Sequence, residues 1–212
     1  MAAAVTPIPT RDRLVETARA YLDQEGVDGI GLREIARRAG VSHGAPLRHF
    51  PTLGSLLAAV AADGFRDLHA SVDAALRACA DDDPLGRLKA AAHGYVDFAR
   101  AHPGVFSLMF RSDLCDTTDP DYATAGGVAF GQLVALVADA QAAGLRPDLP
   151  ASEFAGVVWA TVHGLASLHL LGALVPTTGQ PDVDVLVDIA TTLLVPNPLH
   201  DEQSPTDRKE SS

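Results

Sequence analysis

Eleven residues, GVSHGAPLRHF at 40–50, concentrate side chains that can touch a nucleic acid. Arg48 can donate two parallel hydrogen bonds to a guanine edge, and His43 can reach a base edge as donor or acceptor. Ser42, His49 and the backbone amide of Gly44 suit phosphate oxygens. Arg48 would serve a phosphate as well, and His49 could instead close a helix through a structural hydrogen bond, so both readings stay open. Pro46 complicates the stretch. If Ser42 caps a helix, the proline removes its first internal hydrogen bond; if the helix starts one residue later, it removes none. Pro46 also biases Ala45 away from helical angles. Leu47 is left either to meet base methyl groups or to pack inward.

A second constellation lies far along the chain. Trp159 and His163 stand four apart and share a helical face. With Tyr95, Phe98, Phe106, Met109 and Phe110 they could line an apolar pocket in which His163 is the polar anchor. The same set would serve equally as a packed core. His93 and Asp97 also share a face, as a metal pair would, but no third ligand stands at a suitable spacing. No nucleophile motif such as G-x-S-x-G is present. Neither catalysis, nor a metal, nor another cofactor is expected.

The elements that must hold these residues read as all-α. Apolar residues recur at three and four, with no sustained alternation between Gly and Pro punctuators. Thr10 can cap a helix over 11–25 that ends at Gly26. A second helix spans 32–39, with Leu32, Ile35 and Ala36 inward and Arg33, Arg37 and Arg38 outward. A third, capped by Ser42, ends near Phe50. Thr52 caps a long one towards Cys79. Further helices are predicted at 85–102, 105–110, 122–143, 152–174 and 182–195, with a loop over 111–121 and a disordered tail from 196. Gly40, Val41 and Ser42 between the second and third helices have the spacing of a helix-turn-helix, in which Gly40 takes positive φ.

The 212 residues, 47% hydrophobic and 20% charged, suffice for a packed core. Residues 1–60 carry seven arginines against six acids, whereas 61–212 carry nine basic and twenty-one acidic residues. Any nucleic-acid surface therefore belongs at the N-terminal end, with an acidic body repelled by phosphates. Two cysteines without metal spacing fit a reducing, cytoplasmic compartment. The first ten residues have no basic region before an apolar run, so no secretory leader is expected. Residues 154–175 carry no charge for twenty-two positions, long enough to span a bilayer. Two histidines inside and acidic flanks argue against a span. Gly156, Ala160, Gly164 and Gly172 form a row of small residues there that permits close helix contact.

With LREIARRAGVSHGAPLRHF in view, the N-terminal part resembles the TetR family of one-component transcriptional regulators over roughly 11–60. YVDFARAHPGVFSLMF at 95–110 and WATVHG at 159–164 are similar to a C-terminal domain subgroup marked by Trp-x-x-x-His-Gly. The resemblance implies a homodimer, a palindromic double-stranded DNA operator and a pocket whose ligand lowers DNA affinity. It implies a DNA-binding domain at 8–67, with its motif at about 31–50, and a ligand and dimer domain at 68–195. The residues set towards DNA are then Arg33, Ser42, His43, Gly44, Ala45, Leu47, Arg48, His49 and Thr52. The dimer would form through the helices at about 152–174 and 182–195, and the effector would be small and mostly apolar. Two positions depart from the pattern. Leu47 stands where most members carry a phosphate-contacting tyrosine, and Leu53 where a lysine is common. Those losses leave open a protein of this fold that binds DNA weakly and works through protein partners. A helical small-molecule enzyme built on His93, Asp97 and His163 is the other alternative.

Overall fold

The computed structural model describes residues 9–42, 44–80 and 83–194, and the predicted tail lies outside them. Among the described residues there are ten helices and no strand. They are α1 (Thr10–Glu25), α2 (Leu32–Arg38), α3 (Ala45–His49), α4 (Leu53–Ala78), α5 (Pro84–Ala101), α6 (Pro103–Met109), α7 (Pro120–Ala142), α8 (Ala151–Leu170), α9 (Leu174–Thr178) and α10 (Val183–Leu194). The all-α expectation is met.

α1, α2 and α3 form a small head. α1 buries Leu14, Val15, Ala18, Tyr21 and Leu22, an i, i+4, i+7 stripe facing α2, α4 and α6. Gly40 has φ +64°, a left-handed angle that costs glycine nothing, and the Val41 amide then donates to the Ala36 carbonyl at 3.1 Å. Val41 packs half-buried against the core and sets the angle between α2 and α3.

α4 ties the head to the body. Thr52 caps it as predicted: Thr52 Oγ1 accepts from the Ser55 amide at 3.0 Å, and Ser55 Oγ accepts from the Thr52 amide at 3.2 Å. The helix then runs 26 residues without a break, so the expected division at 67–68 falls inside one rigid element. Around it pack α5, α6 and α7, with α8 against α5 and α7, and α10 against α5 and α8. Asp83 caps α5 and Asp119 caps α7, each with a proline in the first turn. α6 is capped from another element: Asp23 Oδ1, on α1, accepts from the Gly104 and Val105 amides at 3.0 and 3.1 Å.

Three expectations are corrected. Thr10 lies inside α1, with Pro9 at the cap position and no side-chain cap bond. Ser42 does not cap α3. Its carbonyl accepts from the Ala45 amide at 2.9 Å in a tight turn, Gly44 takes the cap position, and the helix starts at Ala45. Pro46 is thereby at the second helical position, where no internal hydrogen bond is lost. Finally, 152–174 is not one helix. α8 ends at Leu170, Gly172 turns the chain at φ +67°, and α9 follows as a separate turn. Among the described residues, α7 rather than this segment is the one helix long and apolar enough to cross a membrane by length and composition.

Candidate functional site

The outer surface of α2 and α3 sorts its arginines into two kinds. Arg37 grips Glu34 with two bonds, at 2.9 and 2.6 Å. Arg38 bonds Glu34 at 2.7 Å and Glu25 at 2.6 Å, and its guanidinium lies 4.5 Å from the centre of the Tyr21 ring. The Arg37 hydrogen bonds, then those of Arg38, pull the Glu34 carboxyl down to about 2. Arg38 thereby braces α2 against α1, while the Arg37–Glu34 pair stays within α2. Arg33 and Arg48 are exposed and make no ion pair among the described residues, so both remain available to an external anion.

α3 buries Pro46 and Phe50, four apart, and turns 47–49 outward. Arg11 lies 5.5 Å over the Phe50 ring and holds this end to α1. The inward alternative for Leu47 is therefore excluded: it is 60% exposed, an apolar contact beside Arg48 and His49. Ser42, Gly44 and Thr52 are exposed and Ala45 is half-buried. Thr52 Oγ1 is already engaged in capping α4, so only its remaining valences face outward. His43 lies outside the described residues. Leu53 packs half-buried against the core, so an apolar contact occupies the position of the family lysine.

Behind the head, α4, α5, α6, α7 and α8 enclose a cavity of about 640 Å³, within the range of small-molecule sites. Of the residues expected there, Tyr95, Met109, Phe110 and Trp159 lie on its wall. Phe98, Phe106 and His163 do not. Phe98 is buried against His102, with ring centres 5.4 Å apart. Phe106 forms a second layer, its ring 5.6 Å from Tyr95 and 5.2 Å from His163. His163 stands behind the wall, with Nδ1 2.8 Å from the Tyr95 hydroxyl and its ring against Phe110 and Trp159. Four-residue spacing does put Trp159 and His163 on one face, but the Phe106 and Phe110 rings of α6 enclose the imidazole. Burial lowers its proton affinity and so favours the uncharged ring.

The wall also holds residues that sequence reasoning missed: Phe65, Leu68 and Val72 of α4, and Tyr122, Phe130, Gln132 and Leu133 of α7. A signal for α7 existed, since Tyr122, Gly126, Ala129, Leu133 and Leu136 recur at four, three, four and three and all line the cavity. Among the described residues, no arginine, lysine, histidine or acid lines it.

His93 and Asp97 do not meet each other. The His93 ring nitrogens face Asp184 at 3.4 Å and Asp188 at 3.1 Å on α10, whereas Asp97 pairs with Arg100 at 3.2 Å. Among the described residues no group of three His, Cys, Asp or Glu could hold a metal ion. On the outside, α8 exposes Val157, Leu168 and Leu171 and α10 exposes Val185, Ile189 and Leu193, and the two helices are neighbours. Of the small-residue row, Gly156 lines the cavity, and a side chain at Gly164 would meet nothing within 4 Å.

Comparison with known proteins agrees with this arrangement. Residues 14–60 match the family model described as "Bacterial regulatory proteins, tetR family", and residues 88–194 match "Tetracyclin repressor-like, C-terminal domain". The chain is 27% identical over 165 residues to the HTH-type transcriptional regulator Rv0681 of Mycobacterium tuberculosis, covering 78% of this chain and 72% of that protein. It is 28% identical over 158 residues to the HTH-type transcriptional regulator BetI of Cronobacter sakazakii, covering 74% of each. A solved structure of a protein of unknown function from Rhodococcus sp. RHA1 superposes with a TM-score of 0.77. It is 34% identical, covering 91% of this chain and 97% of that one.

Proposed function

This chain belongs to the tetR family of bacterial regulatory proteins, and from that premise we propose that it is a repressor released from DNA by a small effector. Two copies would bind one palindromic operator, each entering the major groove with α3, at a separation of about 34–36 Å. The effector is mostly apolar and sits in the cavity behind the head. The exposed apolar residues of α8 and α10 support pairing of the two copies through these helices. The site of action is the cytoplasm, where the chromosome is.

One observation carries this reading. α4 begins at Thr52 beside the recognition helix and lines the cavity with Phe65, Leu68 and Val72 in its middle. A ligand wedged between α5, α6 and α8 must push on the same unbroken helix that carries the head. It can shift the head only by as much as its affinity differs between the two positions.

Among the described residues Arg33 and Arg48 stand unpaired on the outer face, Arg48 for a base edge or a phosphate and Arg33 for the backbone. A gel shift with the DNA upstream of the protein's own gene, at low salt, tests the reading. Absence of any sequence-specific complex there sinks it. A second reading, weak DNA binding with action through protein partners, draws on Leu47, Leu53 and the −11 net charge. It predicts a complex lost at modest salt.

A further inference from the structure

The geometry points to an effector that is an uncharged apolar alcohol, recognised because, among the described residues, every side-chain hydrogen-bond donor on the cavity wall is committed within the protein and only acceptors are left. The inference rests on the reading of this cavity as the effector site. Four wall residues carry a side-chain donor: Tyr95, Tyr122, Gln132 and Trp159. Trp159 Nε1 donates to the Tyr95 hydroxyl oxygen at 3.3 Å. The Tyr122 hydroxyl donates to the Met109 carbonyl at 3.1 Å. The Gln132 amide orientation follows from its neighbours. Asp73 Oδ1 at 2.6 Å and the His69 carbonyl at 3.5 Å are both acceptors, so the NH₂ end faces them.

Tyr95 completes the set. Its hydroxyl lies 2.8 Å from His163 Nδ1, and His163 Nε2 lies 3.4 Å from Ser167 Oγ. A neutral imidazole carries one N–H. The Nδ1 contact is the shorter of the two, and a phenol is a stronger acid than an imidazole N–H. We therefore assign the phenolic proton to the Tyr95–Nδ1 bond and the ring hydrogen to Nε2, towards Ser167. Tyr95, a wall residue, then keeps one lone pair beyond the one Trp159 uses.

What remains on the wall is Gln132 Oε1, to which no described residue donates, and lone pairs on the Tyr95 and Tyr122 oxygens. A ligand carbonyl, ether or carboxylate would be desolvated there without a donor. A carboxylate or phosphate would also find no cation on the wall, and an ammonium no carboxylate. A hydroxyl group brings its own donor and satisfies these acceptors. The aromatic rings of Phe65, Phe110, Phe130 and Trp159 cover its hydrocarbon part.

Trp159 is the chain's only tryptophan and lies on the wall, so its emission reports occupancy directly. The full-length protein is titrated with decanol, decyl methyl ether, methyl octyl ketone, decanoate and decylammonium. Decanol binds about five- to tenfold more tightly than the ether or the ketone, as expected for one hydrogen bond, and the two ions bind more weakly still. Gln132→Met reduces the alcohol's advantage and leaves the ether's affinity unchanged, which shows that the cavity has kept its shape. Tyr95→Phe instead frees the Trp159 Nε1 hydrogen and narrows the gap by strengthening the ether and the ketone. Equal binding of the neutral probes, or tighter binding of either ion, overturns the inference and leaves the effector cavity standing. Failure of every probe to bind overturns both, while the gel shift reports operator binding separately.

Discussion

Gly104 lies against the backbone of Leu22 so closely that a β-carbon at 104 would overlap the Leu22 carbonyl and lie 2.7 Å from the Asp23 amide nitrogen. The same junction carries the two bonds from the Gly104 and Val105 amides to the Asp23 carboxylate. Head and body thus meet rigidly at α1 and α6, and α6 carries Met109 and Phe110 on the cavity wall. Gly104→Ala must separate the two helices and is expected to cost about 2–3 kcal/mol, read by urea unfolding. Asp23→Ala removes the cap and the 3.5 Å contact of Asp23 Oδ2 with His102 Nδ1, at about 1 kcal/mol. Gly127 supplies the control: it lies exposed within α7 with nothing within 4 Å of a β-carbon. Gly127→Ala should stabilise the fold by about 0.5–1 kcal/mol. Equal effects at 104 and 127 would show that the α1–α6 contact does not matter.

The two unpaired arginines should separate by mechanism. Arg48→Ala is expected to relax discrimination at one operator position, losing about 1–3 kcal/mol for the preferred base. Arg33→Ala should weaken binding to all sequences alike and lower the salt slope by about one. Binding curves on operator and scrambled DNA over a salt series decide. A uniform loss for Arg48→Ala would make it a phosphate contact.

Glu34 makes the head sensitive to acid in a defined window. Its folded-state proton affinity is depressed, from 4.5 to about 2, first by the Arg37 bonds and then by those of Arg38. A depressed carboxylate contributes stability that is complete above the unfolded value and vanishes as pH falls through the folded one. Glu34→Gln should therefore lower the melting temperature at pH 7, and the gap to the parent protein should close between pH 4.5 and about 2. A gap that persists unchanged at pH 2 would mean that Glu34 acts through packing rather than charge.

Leu171 and Leu193 are each 78% exposed in the single chain. Leu171→Asp and Leu193→Asp should leave the fold of each copy intact, because neither side chain packs within it. Both should shift sedimentation from dimer to monomer and abolish tight operator binding. Unchanged sedimentation of the double variant would move the interface elsewhere.

Much of this molecule can be read along the chain because its determinants are local. Helical periodicity, the Thr52 cap and the positive φ of Gly40 involve residues within a few positions of one another. The helix-turn-helix was legible for that reason, as were Arg33 and Arg48 as outward-facing cations. The exact start of α3 was not, since Ser42 has two uses within its reach, cap or tight turn, and sequence alone does not rank them. Leu47 was open for the same reason until Pro46 and Phe50 took the inward face.

The cavity lay beyond such reading. Tyr95, Met109, Phe110 and Trp159 could be gathered by character, yet Phe98, Phe106 and His163 share that character and lie elsewhere. Which aromatic residue faces a void and which fills the layer behind depends on how five helices cross. The same holds for hydrogen bonds. That Gln132 turns its NH₂ towards Asp73, and Tyr95 its hydroxyl towards His163, is decided by partners 59 and 68 residues away. The sequence by itself determined an all-helical regulator with a DNA-binding head and an acidic helical body. Tertiary structure alone decided which donors are already satisfied, because that depends on side chains brought together from different helices.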